Sequence, residues 1–592
     1  MIDVRALKTM PLGQSEWSSI QADGLFFVDK TALLLDLVKK PKVFLSRPRR
    51  YGKTLLLSMI EDLFNHGTQN FQNTAICDMW PEHERYPVVR LSFINVPYAQ
   101  EAGQAVDDVA SFEAGLIEEL GRAYQRAGFA PEEIDAYKKD ATLHGFLSKL
   151  SNFSNQQRLV FLIDEWDVPL SAHLDNEVRF DALRRSLNVF YNWLRTLNLR
   201  FLLVTGIMRY KETNLFTGRD IVDLSMHPKF SALLGYTQQE LEHDFADYLE
   251  LAAQRHHMSK AELLQQLKFY YNGFCFDEDV SVKLYCPWAI NSFFEQLHDS
   301  DKAPPFRCFW MNAVGDPKSL RTFMERVQPN LAVLDEIKNK QVVLGRSDLI
   351  NPTLFSKVEF FPLLTLNGYL TIQEAVEPVS DNPDDRLFVC GFPNYEVKVE
   401  FEREFLNYLT KSKSANGNKP LLTRIAQSLL NQDISTFCNL LNELFRSWRY
   451  DSSQNNIEVD YRSFITLCLA LCDKFMVREE TGNNKGRSDI EVELPNTNVY
   501  VFELKRLAEG KNAPEDQQEM LDAGQKQMLS QGYGVNHATH GKHVTGVIIV
   551  ISTDERQIVA WRLIDNKIQN STHTQDGTVQ PLNLLNKPEF TS

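Results

Sequence analysis

The eight residues from Arg47 to Thr54 read RPRRYGKT and end in Gly-Lys-Thr, residue types that bind phosphate groups. They follow a short apolar run, Val43–Ser46, and precede a leucine-rich segment, Leu55–Ile60, so the order strand, loop, helix is predicted. Backbone N–H groups and the helix dipole at the start of a helix attract anions. In such a loop Lys53 would reach the outer phosphates of a nucleotide, and the Thr54 hydroxyl would bind Mg²⁺.

The loop departs from the usual phosphate-binding pattern at its first position. The pattern Gly-x-x-x-x-Gly-Lys-Thr puts a glycine where this chain has Arg47, and Pro48 lacks a backbone donor. An ordinary basic turn before a helix is therefore one alternative, and a site that binds ATP but hardly hydrolyses it is another. The predicted nucleotide contacts also include the loop residues Arg50, Tyr51 and Gly52.

A second signal is the apolar run Leu159–Ile163, which is followed by Asp164 and Glu165. A continuous apolar run is typical of a strand buried on both faces, and open α/β sheets bind ligands at the carboxyl ends of their strands. Asp164 would hold Mg²⁺, directly or through water, and Glu165 would orient and polarise the attacking water. Acidic pairs also follow strands for solubility alone. The spacing of 111 residues (164 − 53) from Lys53, with another predicted strand between, makes the combination much more specific.

A further predicted strand, Phe201–Thr205, ends in a polar residue. At that position Thr205 could contact the γ-phosphate or the attacking water. Arg209 follows closely and could neutralise charge in the transition state. A surface or structural arginine is the alternative for Arg209, and the sequence favours it somewhat.

A second group of charged residues lies near the C-terminus, in GRSDI (486–490) and VFELK (501–505). Side chains alternate along a strand, so two adjacent strands could present Asp489, Glu503 and Lys505 together. That set suits hydrolysis of a phosphodiester, because two carboxylates can bind one or two Mg²⁺ ions that activate water. Lys505 would position the nucleophile or stabilise charge in the transition state.

The residues around this set are less specific. Gln527, on the following predicted helix, could orient water or the scissile phosphate, and an exposed polar residue is an equal alternative. Glu491 and Glu493 share the face of Asp489 and are expected to be solvated. The Asp…Glu-x-Lys pattern alone is weak, but the spacing of 14 residues (503 − 489) and the buried alternate residues strengthen it.

Composition narrows the classes of protein. The chain has 592 residues, enough for three or four domains. Its net charge of −15 (63 − 78) argues against a protein that coats nucleic acid nonspecifically, although it permits a local basic groove. The 8 cysteines have neither Cys-x-x-Cys pairs nor zinc spacing, which favours reduced, buried thiols. A secretory signal is absent from the first residues, and no apolar run approaches the ~20 residues that span a bilayer. We therefore expect a cytoplasmic protein without a membrane partner.

The order of the predicted elements divides the chain into four parts. Strands alternate with helices over 1–210, which predicts a parallel α/β sheet covered on both faces. A mostly helical lid is predicted over 211–375, and Thr237–Glu240 reads as a capping box that opens one of its helices. A helical connector over 376–475 and a second α/β domain over 476–592 complete the prediction.

These residues together resemble a bacterial family that joins an AAA-ATPase-like N-terminal domain to a C-terminal PD-(D/E)XK nuclease-superfamily domain. The phosphate loop, with arginine in place of its first glycine, resembles the variant of that family. The other matching strings are FVDKT (27–31), LIDEWD (162–167), VTGIMR (204–209), YNGF (271–274), YCPW (285–288), NGYLTI (367–372), GRSDI and VFELK. They are spread over most of the chain, so the resemblance is specific.

The resemblance implies a P-loop NTPase fold followed by a restriction-endonuclease-like α/β fold. It implies ATP binding by Lys53, Thr54 and Asp164, with Glu165 as the hydrolytic carboxylate. It also implies a nuclease-like site at the three C-terminal residues described above, with Ser488 in place of the usual preceding proline.

The leading hypothesis is an ATP-regulated, Mg²⁺-dependent nuclease that acts on DNA or RNA. Its cofactors would be ATP and Mg²⁺, and the expected metal ligands are Thr54, Asp164, Asp489 and Glu503. The alternative is a nucleotide-switched protein whose C-terminal fold binds nucleic acid or protein without cutting it. A homo-oligomer is possible, because AAA-like domains often form rings.

Overall fold

The structure of the chain is a computed structural model. It describes residues 4–82, 84–97, 108–139, 142–174, 176–210, 213–216, 220–310, 318–350, 360–377, 382, 385–412, 417–448, 457–472, 475–482, 487–496, 498–534, 537, 542–565 and 573–578. The chain forms two units. The first comprises Met1–Gln328 and Val333–Glu400, and the second comprises Pro329–Ala332 and Phe401–Ser592.

A parallel sheet of five strands, in the order β2-β3-β4-β1-β5, forms the core of the first unit. Its strands are β1 (Lys42–Ser46), β2 (Val88–Ser92), β3 (Leu159–Asp164), β4 (Leu199–Gly206) and β5 (Val222–Asp223). Every residue of β3 is buried, as expected for a strand covered on both faces. The predicted parallel α/β fold is confirmed, and among the described strands of this sheet only the two-residue β5 was not anticipated.

Helices connect these strands and cover the sheet. They are α1 (Trp17–Ala22), α2 (Ala32–Val38), α3 (Lys53–His66), α4 (Asp108–Arg126), α5 (Pro131–Lys138), α6 (Leu143–Gln156), α7 (Val168–Ser171) and α8 (Glu177–Thr196). Short 3₁₀ helices occur at Val4–Ala6, Phe93–Asn95, Asn214–Phe216 and Pro228–Leu233. In the residues that the structure describes, no helix is long and apolar enough to cross a membrane.

The strand order brings three strand ends together. Strand β4 lies between β1 and β3, so all three point their carboxyl ends at the same edge of the sheet. The register pairs Leu45 with Thr205 and Ile163 with Val204. The phosphate loop after β1, the acidic pair after β3 and Thr205 at the end of β4 are therefore neighbours.

The segment after β5 is mostly helical, as predicted. Its helices are α9 (Gln238–Asp244), α10 (Ala246–His256), α11 (Lys260–Tyr271), α12 (Pro287–Asp299), α13 (Lys318–Val327), α14 (Ala332–Lys338), α15 (Arg346–Ile350) and α16 (Phe360–Leu366). The predicted capping box is present, because the Thr237 hydroxyl accepts from the Glu240 amide and the Glu240 carboxylate accepts from the Thr237 amide. A small antiparallel sheet was not anticipated; it consists of β6 (Val343–Gly345), β7 (Thr371–Val376) and β8 (Leu387–Gly391).

The second unit combines helices with a six-stranded mixed sheet in the order β14-β13-β12-β11-β10-β9. Helix α17 (Tyr395–Leu409) crosses the boundary at Glu400, and α18 (Lys419–Leu430), α19 (Ile434–Ser447), α20 (Ile457–Ala470) and α21 (Pro514–Gln531) follow. The strands are β9 (Met476–Gly482), β10 (Arg487–Glu493), β11 (Asn498–Leu507), β12 (His543–Ser552), β13 (Gln557–Asp565) and β14 (His573–Thr578). Only β11 and β12 pair in parallel.

Helix α21 covers one face of this sheet. Its residues Leu521 and Met528 join a buried apolar cluster with Val499 and Val501 of β11 and Ile548 of β12. Because β10 and β11 carry the C-terminal acidic residues, the packing of α21 sets how deeply those side chains are buried.

Candidate functional sites

The loop between β1 and α3 places a lysine at the start of a helix. Gly52 has a φ of 88°, a conformation that glycine adopts without strain, and α3 begins at the next residue. Lys53 is only 6% exposed, and its Nζ donates to the carbonyl oxygens of Arg47 at 2.9 Å and Pro48 at 3.0 Å. An ammonium has three N–H donors, so one is left for a phosphate oxygen. Burial lowers the pKa of Lys53, and the nearby carboxylate of Asp164 opposes that change.

Thr54, Asp164 and Thr205 form a hydrogen-bonded chain at this edge of the sheet. The Thr54 hydroxyl donates to Asp164 Oδ2 at 2.7 Å, and the Thr205 hydroxyl donates to Asp164 Oδ1 at 2.7 Å. Hydroxyl and carboxylate oxygens are the ligands that Mg²⁺ prefers. The side chains of Thr54 and Asp164 therefore fit a magnesium ion, which would neutralise phosphate charge when bound.

Glu165 follows Asp164 in a strained backbone conformation. Its φ is 51°, which is uncommon for a residue with a side chain and tends to occur at functional sites. The Glu165 carboxylate accepts no hydrogen bond from the described residues, whereas its amide donates to Asp164 Oδ1 at 3.1 Å. Burial, followed by the charge of Asp164, raises the pKa of Glu165. A carboxylate with a raised pKa is a better proton acceptor for an attacking water.

Arg209 is held by protein groups. Its Nη1 donates to Asp223 Oδ2 at 2.9 Å, and its guanidinium lies 4.3 Å from the centre of the Phe216 ring. These contacts agree with the alternative that Arg209 is a structural arginine, which the sequence favoured. A contact of Arg209 with a γ-phosphate stays a prediction.

The side chains of Arg50 and Tyr51 pack against the helical segment. The Arg50 guanidinium lies 4.4 Å from the centre of the Trp288 ring. Tyr51 is buried with its ring edge-on to Phe274 and Phe276, at centroid distances of 5.4 and 5.1 Å. The predicted phosphate contacts of Arg50, Tyr51 and Gly52 would therefore come from their backbone amides. They stay predictions.

Arg47, in place of the first glycine, ties the start of the loop to the segment after β5. Its Nη1 donates to the carbonyl oxygens of Ser46 and Ser225 at 2.8 and 2.7 Å. Its Nη2 donates to the Phe230 carbonyl oxygen at 3.1 Å, and the guanidinium lies 4.6 Å from the Phe276 ring centre. Burial lowers the pKa of Arg47 to about 10. The arginine therefore replaces the flexibility of a glycine with several fixed contacts.

Sequence reasoning missed Asp167, the third acidic residue of LIDEWD. This buried carboxylate accepts from the Ile207 amide at 3.2 Å and from the Met208 amide at 3.1 Å. Burial raises its pKa, and the two amides oppose that change. Asp167 thus joins the segment after β3 to the VTGIMR segment after β4. Its position in the same acidic run was the signal that could have identified it.

A buried carboxyl group also lies behind the phosphate loop. Glu396 is 1% exposed, and its Oε1 accepts from the backbone amide of Trp310. Burial raises the pKa of Glu396 from 4.5 to about 8, although hydrogen bonds from backbone amides oppose this and the charge of Glu400 adds to it. When ionised, the Glu396 carboxylate would also raise the pKa of the Tyr51 and Tyr271 hydroxyls and of the Cys286 thiol.

We expect Glu396 to make the first unit less stable as pH rises. Below pH 4.5 the carboxyl is protonated in folded and unfolded chains alike, so the stability that its proton provides is fully present. Between pH 4.5 and about 8 only the folded chain keeps the proton, so the free energy of unfolding falls with pH. From pH 5 to pH 8 the loss amounts to roughly 3 to 4 kcal/mol, at about 1.4 kcal/mol per pKa unit.

Urea unfolding of the wild type and of Glu396→Gln at pH 5 and pH 8 measures this effect. Glutamine keeps the acceptor oxygen and cannot ionise, so the variant should lose less free energy of unfolding than the wild type over the same interval. Equal losses in the two proteins would contradict the expectation.

The C-terminal carboxylates lie on neighbouring strands. The antiparallel register pairs Ile490 with Phe502, which makes Asp489 and Glu503 the next residues along the two strands. The Leu504 amide donates to Asp489 Oδ2 at 2.7 Å, so the Asp489 carboxylate reaches across to β11.

Lys505 and Gln527 complete this site. Glu503 is 2% exposed, and its Oε1 accepts from Lys505 Nζ at 2.7 Å. Lys505 Nζ also donates to Gln527 Oε1 at 2.8 Å. Gln527 on α21 is therefore next to Lys505, which is where it would have to lie to orient water or the scissile phosphate. That role stays a prediction.

Tyr533 was not identified from the sequence. Its hydroxyl accepts from Gln527 Nε2 at 3.1 Å. Burial raises its pKa, and the charges of Glu503 and Asp489 raise it further. The register places Asp489 opposite Glu503, so the two carboxylates lie on the same side of the sheet. Tyr533 follows the end of α21 by two residues, too far from the motifs for a spacing rule to find it.

The expectation that Glu491 is solvated was wrong. Glu491 is buried; its Oε1 accepts from the Ser488 hydroxyl at 2.9 Å, and its Oε2 lies 2.8 Å from His537 Nε2. Both faces of β10 are covered, so simple alternation of buried and solvated residues fails there. Glu493 is half-buried and pairs with Lys542. Gly486 of the GRSDI string lies outside the described residues.

The carboxylates of Asp489 and Glu503 are oxygen ligands of the kind that a divalent metal ion binds. Among the described residues, no group of three or more His, Cys, Asp or Glu side chains could hold a metal ion. Mg²⁺ does not require such a group, because one or two carboxylates with water and substrate phosphates suffice. Asp489 and Glu503 supply two carboxylates, so they fit Mg²⁺, which would activate water when bound. Their role as ligands stays a prediction.

Family models match two separate regions of the chain. Residues 11–216 match the family described as "Predicted AAA-ATPase", and residues 456–561 match the PD-(D/E)XK nuclease superfamily. A protein of Azotobacter chroococcum mcd 1, described as "Uncharacterized protein in vnfD 5′region", is 26% identical over 571 residues, which cover 94% of this chain and 98% of that protein.

Two solved structures from Aeropyrum pernix show weak similarity. The ORC2 protein in ADPNP-ADP complexes has 11% identity and a TM-score of 0.29, and the match covers 67% of this chain and 94% of that one. The ORC1 protein in complex with DNA has 10% identity and a TM-score of 0.23, with 67% and 96% covered. The family matches thus show that the N-terminal region of the chain is similar to the predicted AAA-ATPase family and that its C-terminal region is similar to the PD-(D/E)XK nuclease superfamily.

Proposed function

We propose that the chain binds and hydrolyses ATP in its first unit and cleaves DNA or RNA in its second, both with Mg²⁺. The observation that carries the proposal is shared by the two sites. In each, a lysine lies next to residues that carry largely buried carboxylates: Lys53 is the first residue of α3, and Lys505 lies on β11. Lys53 precedes Thr54, whose hydroxyl donates to Asp164, and Lys505 donates to Glu503. A cation next to buried carboxylates is the arrangement that binds and activates phosphate groups.

In the first site, Lys53 would bind the outer phosphates while Thr54 and Asp164 hold Mg²⁺. Glu165 would accept a proton from the water that attacks the γ-phosphorus, and ADP would leave. The raised pKa of Glu165 and the absence of a hydrogen bond to its carboxylate within the described residues support this assignment. Thr205, which donates to Asp164, would keep that carboxylate oriented.

In the second site, Asp489 and Glu503 would hold Mg²⁺, and Lys505 would orient the attacking water or stabilise charge on the phosphorus. Water adds to the phosphorus and loses a proton to solvent, the bond to the leaving sugar oxygen breaks, and that oxygen takes up a proton from solvent. Gln527 supports the position of Lys505, to which it is hydrogen-bonded.

A cleavage assay on several substrates tests the proposal. Single-stranded and double-stranded DNA and RNA are incubated with the full chain in Mg²⁺ or in EDTA, each with and without ATP. We expect at least one substrate to be cut in Mg²⁺ and none in EDTA, with a rate that depends on ATP. If no substrate is cut with Mg²⁺ or Mn²⁺ while one is bound, the alternative of a nucleotide-switched binding protein is the better account.

Nucleic acid is the proposed partner, and the net charge of −15 confines its contact to a local groove. A homo-oligomer is a further proposal. A cytoplasmic location is proposed from the 8 cysteines, none of which forms a disulfide within the described residues. The division into domains at 210, 375 and 475 also stays a proposal.

A further inference from the structure

Trp310 holds the phosphate loop from outside the P-loop sequence. Its indole Nε1 donates to the carbonyl oxygen of Arg49 at 3.1 Å. The indole is buried, with its ring edge-on to Tyr369 and Phe274 at centroid distances of 5.8 and 6.0 Å. Trp310 therefore joins the middle of the loop to the aromatic core of the helical segment.

Gly368 of the NGYLTI string packs against Pro48, the loop residue that precedes Arg49. A Cβ added at Gly368 would lie 2.9 Å from the Cβ and Cγ of Pro48 and 3.3 Å from Cζ2 of Trp310. The φ of Gly368 is 87°, so a side chain there would be strained in any case. The Pro48–Arg49 turn is thus confined between a glycine and a tryptophan.

Trp310 is itself fixed at its backbone. Its amide donates to Glu396, a buried group at the start of α17. Burial raises the pKa of Glu396 to about 8, so near pH 7 the carboxyl is mostly protonated and its carbonyl oxygen still accepts the bond. Both the main chain and the side chain of Trp310 are therefore restrained.

The bond to Arg49 has a directional consequence. The C=O and N–H of a trans peptide point in opposite directions. A donor that holds the Arg49 carbonyl oxygen therefore turns the Arg50 amide to the side away from Trp310. A phosphate loop works by presenting such amides, and a carbonyl oxygen turned toward the phosphates would repel them.

We propose that Trp310 is a positioning residue of the nucleotide site: it fixes the Arg49–Arg50 peptide in the orientation that presents the loop to phosphates, and Glu396 fixes Trp310. This inference rests on the proposed binding of ATP at Lys53. It gives Trp310 of the helical segment and Glu396 of α17 a role in the affinity for nucleotide, although neither would touch the nucleotide.

Calorimetric titration of the full chain with MgATP at pH 7 tests the inference. Trp310→Phe keeps an aromatic ring and removes the N–H donor, so we expect the Kd for MgATP to rise about five- to tenfold, the range for loss of one hydrogen bond. Trp17→Phe is the matched control. Trp17 is equally buried, and its Nε1 donates to the Asn70 carbonyl oxygen at 3.0 Å, away from the loop. We expect the control to lower the melting temperature without changing the Kd.

A pair of variants at Glu396 separates positioning from general destabilisation. Glu396→Gln keeps an acceptor for the Trp310 amide and should bind MgATP like the wild type. Glu396→Leu removes the acceptor and should weaken binding as much as Trp310→Phe does. This pair also serves if Trp310→Phe does not fold.

The outcomes distinguish two failures. If the wild type does not bind MgATP, the proposed function fails. If the wild type binds, and Trp310→Phe binds equally well or weakens only in proportion to its loss of melting temperature as Trp17→Phe does, the positioning role of Trp310 is overturned. Equal affinities of the two Glu396 variants would overturn the role of Glu396.

Discussion

Replacing Glu165 by glutamine is expected to lower the rate of ATP hydrolysis about 10²–10⁴-fold, the usual contribution of a positioned general base. The affinity for MgATP should change little, because Lys53, Thr54 and Asp164 would supply the binding. Glutamine has nearly the same shape as glutamate but cannot accept the proton of the attacking water. Single-turnover hydrolysis gives the rate, and calorimetry with the same proteins gives the affinity.

Glu61→Gln is a control for the same chemical change in the same unit. Glu61 lies on α3, 8 residues (61 − 53) after Lys53, and its carboxylate pairs with Arg90 at 2.9 Å. We expect it to hydrolyse ATP at the wild-type rate. A wild type no faster than Glu165→Gln would mean that ATP is bound without turnover, which is the alternative that Arg47 and Pro48 raised.

The parallel sheet of the first unit could be predicted because its strands are short, continuous apolar runs separated by long amphipathic helices. The second sheet was only partly predictable. Strands β11 and β12 are rich in apolar residues, and β10 (RSDIEVE) alternates charged with apolar residues. By contrast, β9 (MVREETG) and β14 (HTQDGT) are polar and have no clear apolar period. Strand β6 has three residues, too few for any pattern. Such strands are specified by their hydrogen-bonded neighbours, which the local sequence does not reveal.

The candidate sites show the same limit. Lys53, Thr54, Asp164 and Thr205 were found because local motifs place them at strand ends, and the strand order brings those ends together. The partners of Arg47 and Trp310 could not be found this way. Arg47 bonds to Ser225 across 178 residues, and Trp310 bonds to Arg49 across 261. Contacts over such separations depend on tertiary packing.

Three strings of the helical segment gain a physical explanation from these contacts. Phe274 of YNGF packs on Tyr51, Trp288 of YCPW lies over Arg50, and Gly368 of NGYLTI fits against Pro48. Each string thus contacts a different residue of the phosphate loop.

This set of contacts accounts for an altered loop. A loop with arginine and proline in place of flexible residues cannot adjust freely to a phosphate, so its conformation has to be held by the surrounding residues. We infer that the variant loop and the three strings form one structural feature.

Replacing Lys505 by methionine is expected to lower Mg²⁺-dependent cleavage about 10²–10³-fold, the usual cost of removing one group that stabilises transition-state charge. Methionine keeps the length and apolar stem of lysine without its ammonium. Binding of uncut nucleic acid in EDTA should weaken only a few-fold, because one cation is lost. The initial rate of cleavage and a binding isotherm on the same substrate measure the two effects.

Lys542→Met is a matched control next to the same sheet, because Lys542 immediately precedes β12. Lys542 pairs with Glu493 of β10 much as Lys505 pairs with Glu503 of β11, and their side chains are 28% and 19% exposed. Both variants lose one ion pair, but only Lys505 lies beside the carboxylates of the proposed nuclease site. Glu503→Gln should lose cleavage like Lys505→Met, and Glu493→Gln should keep it. Similar losses at the two lysines would show that Lys505 acts through stability or net charge, and the nuclease assignment of this site would then fail.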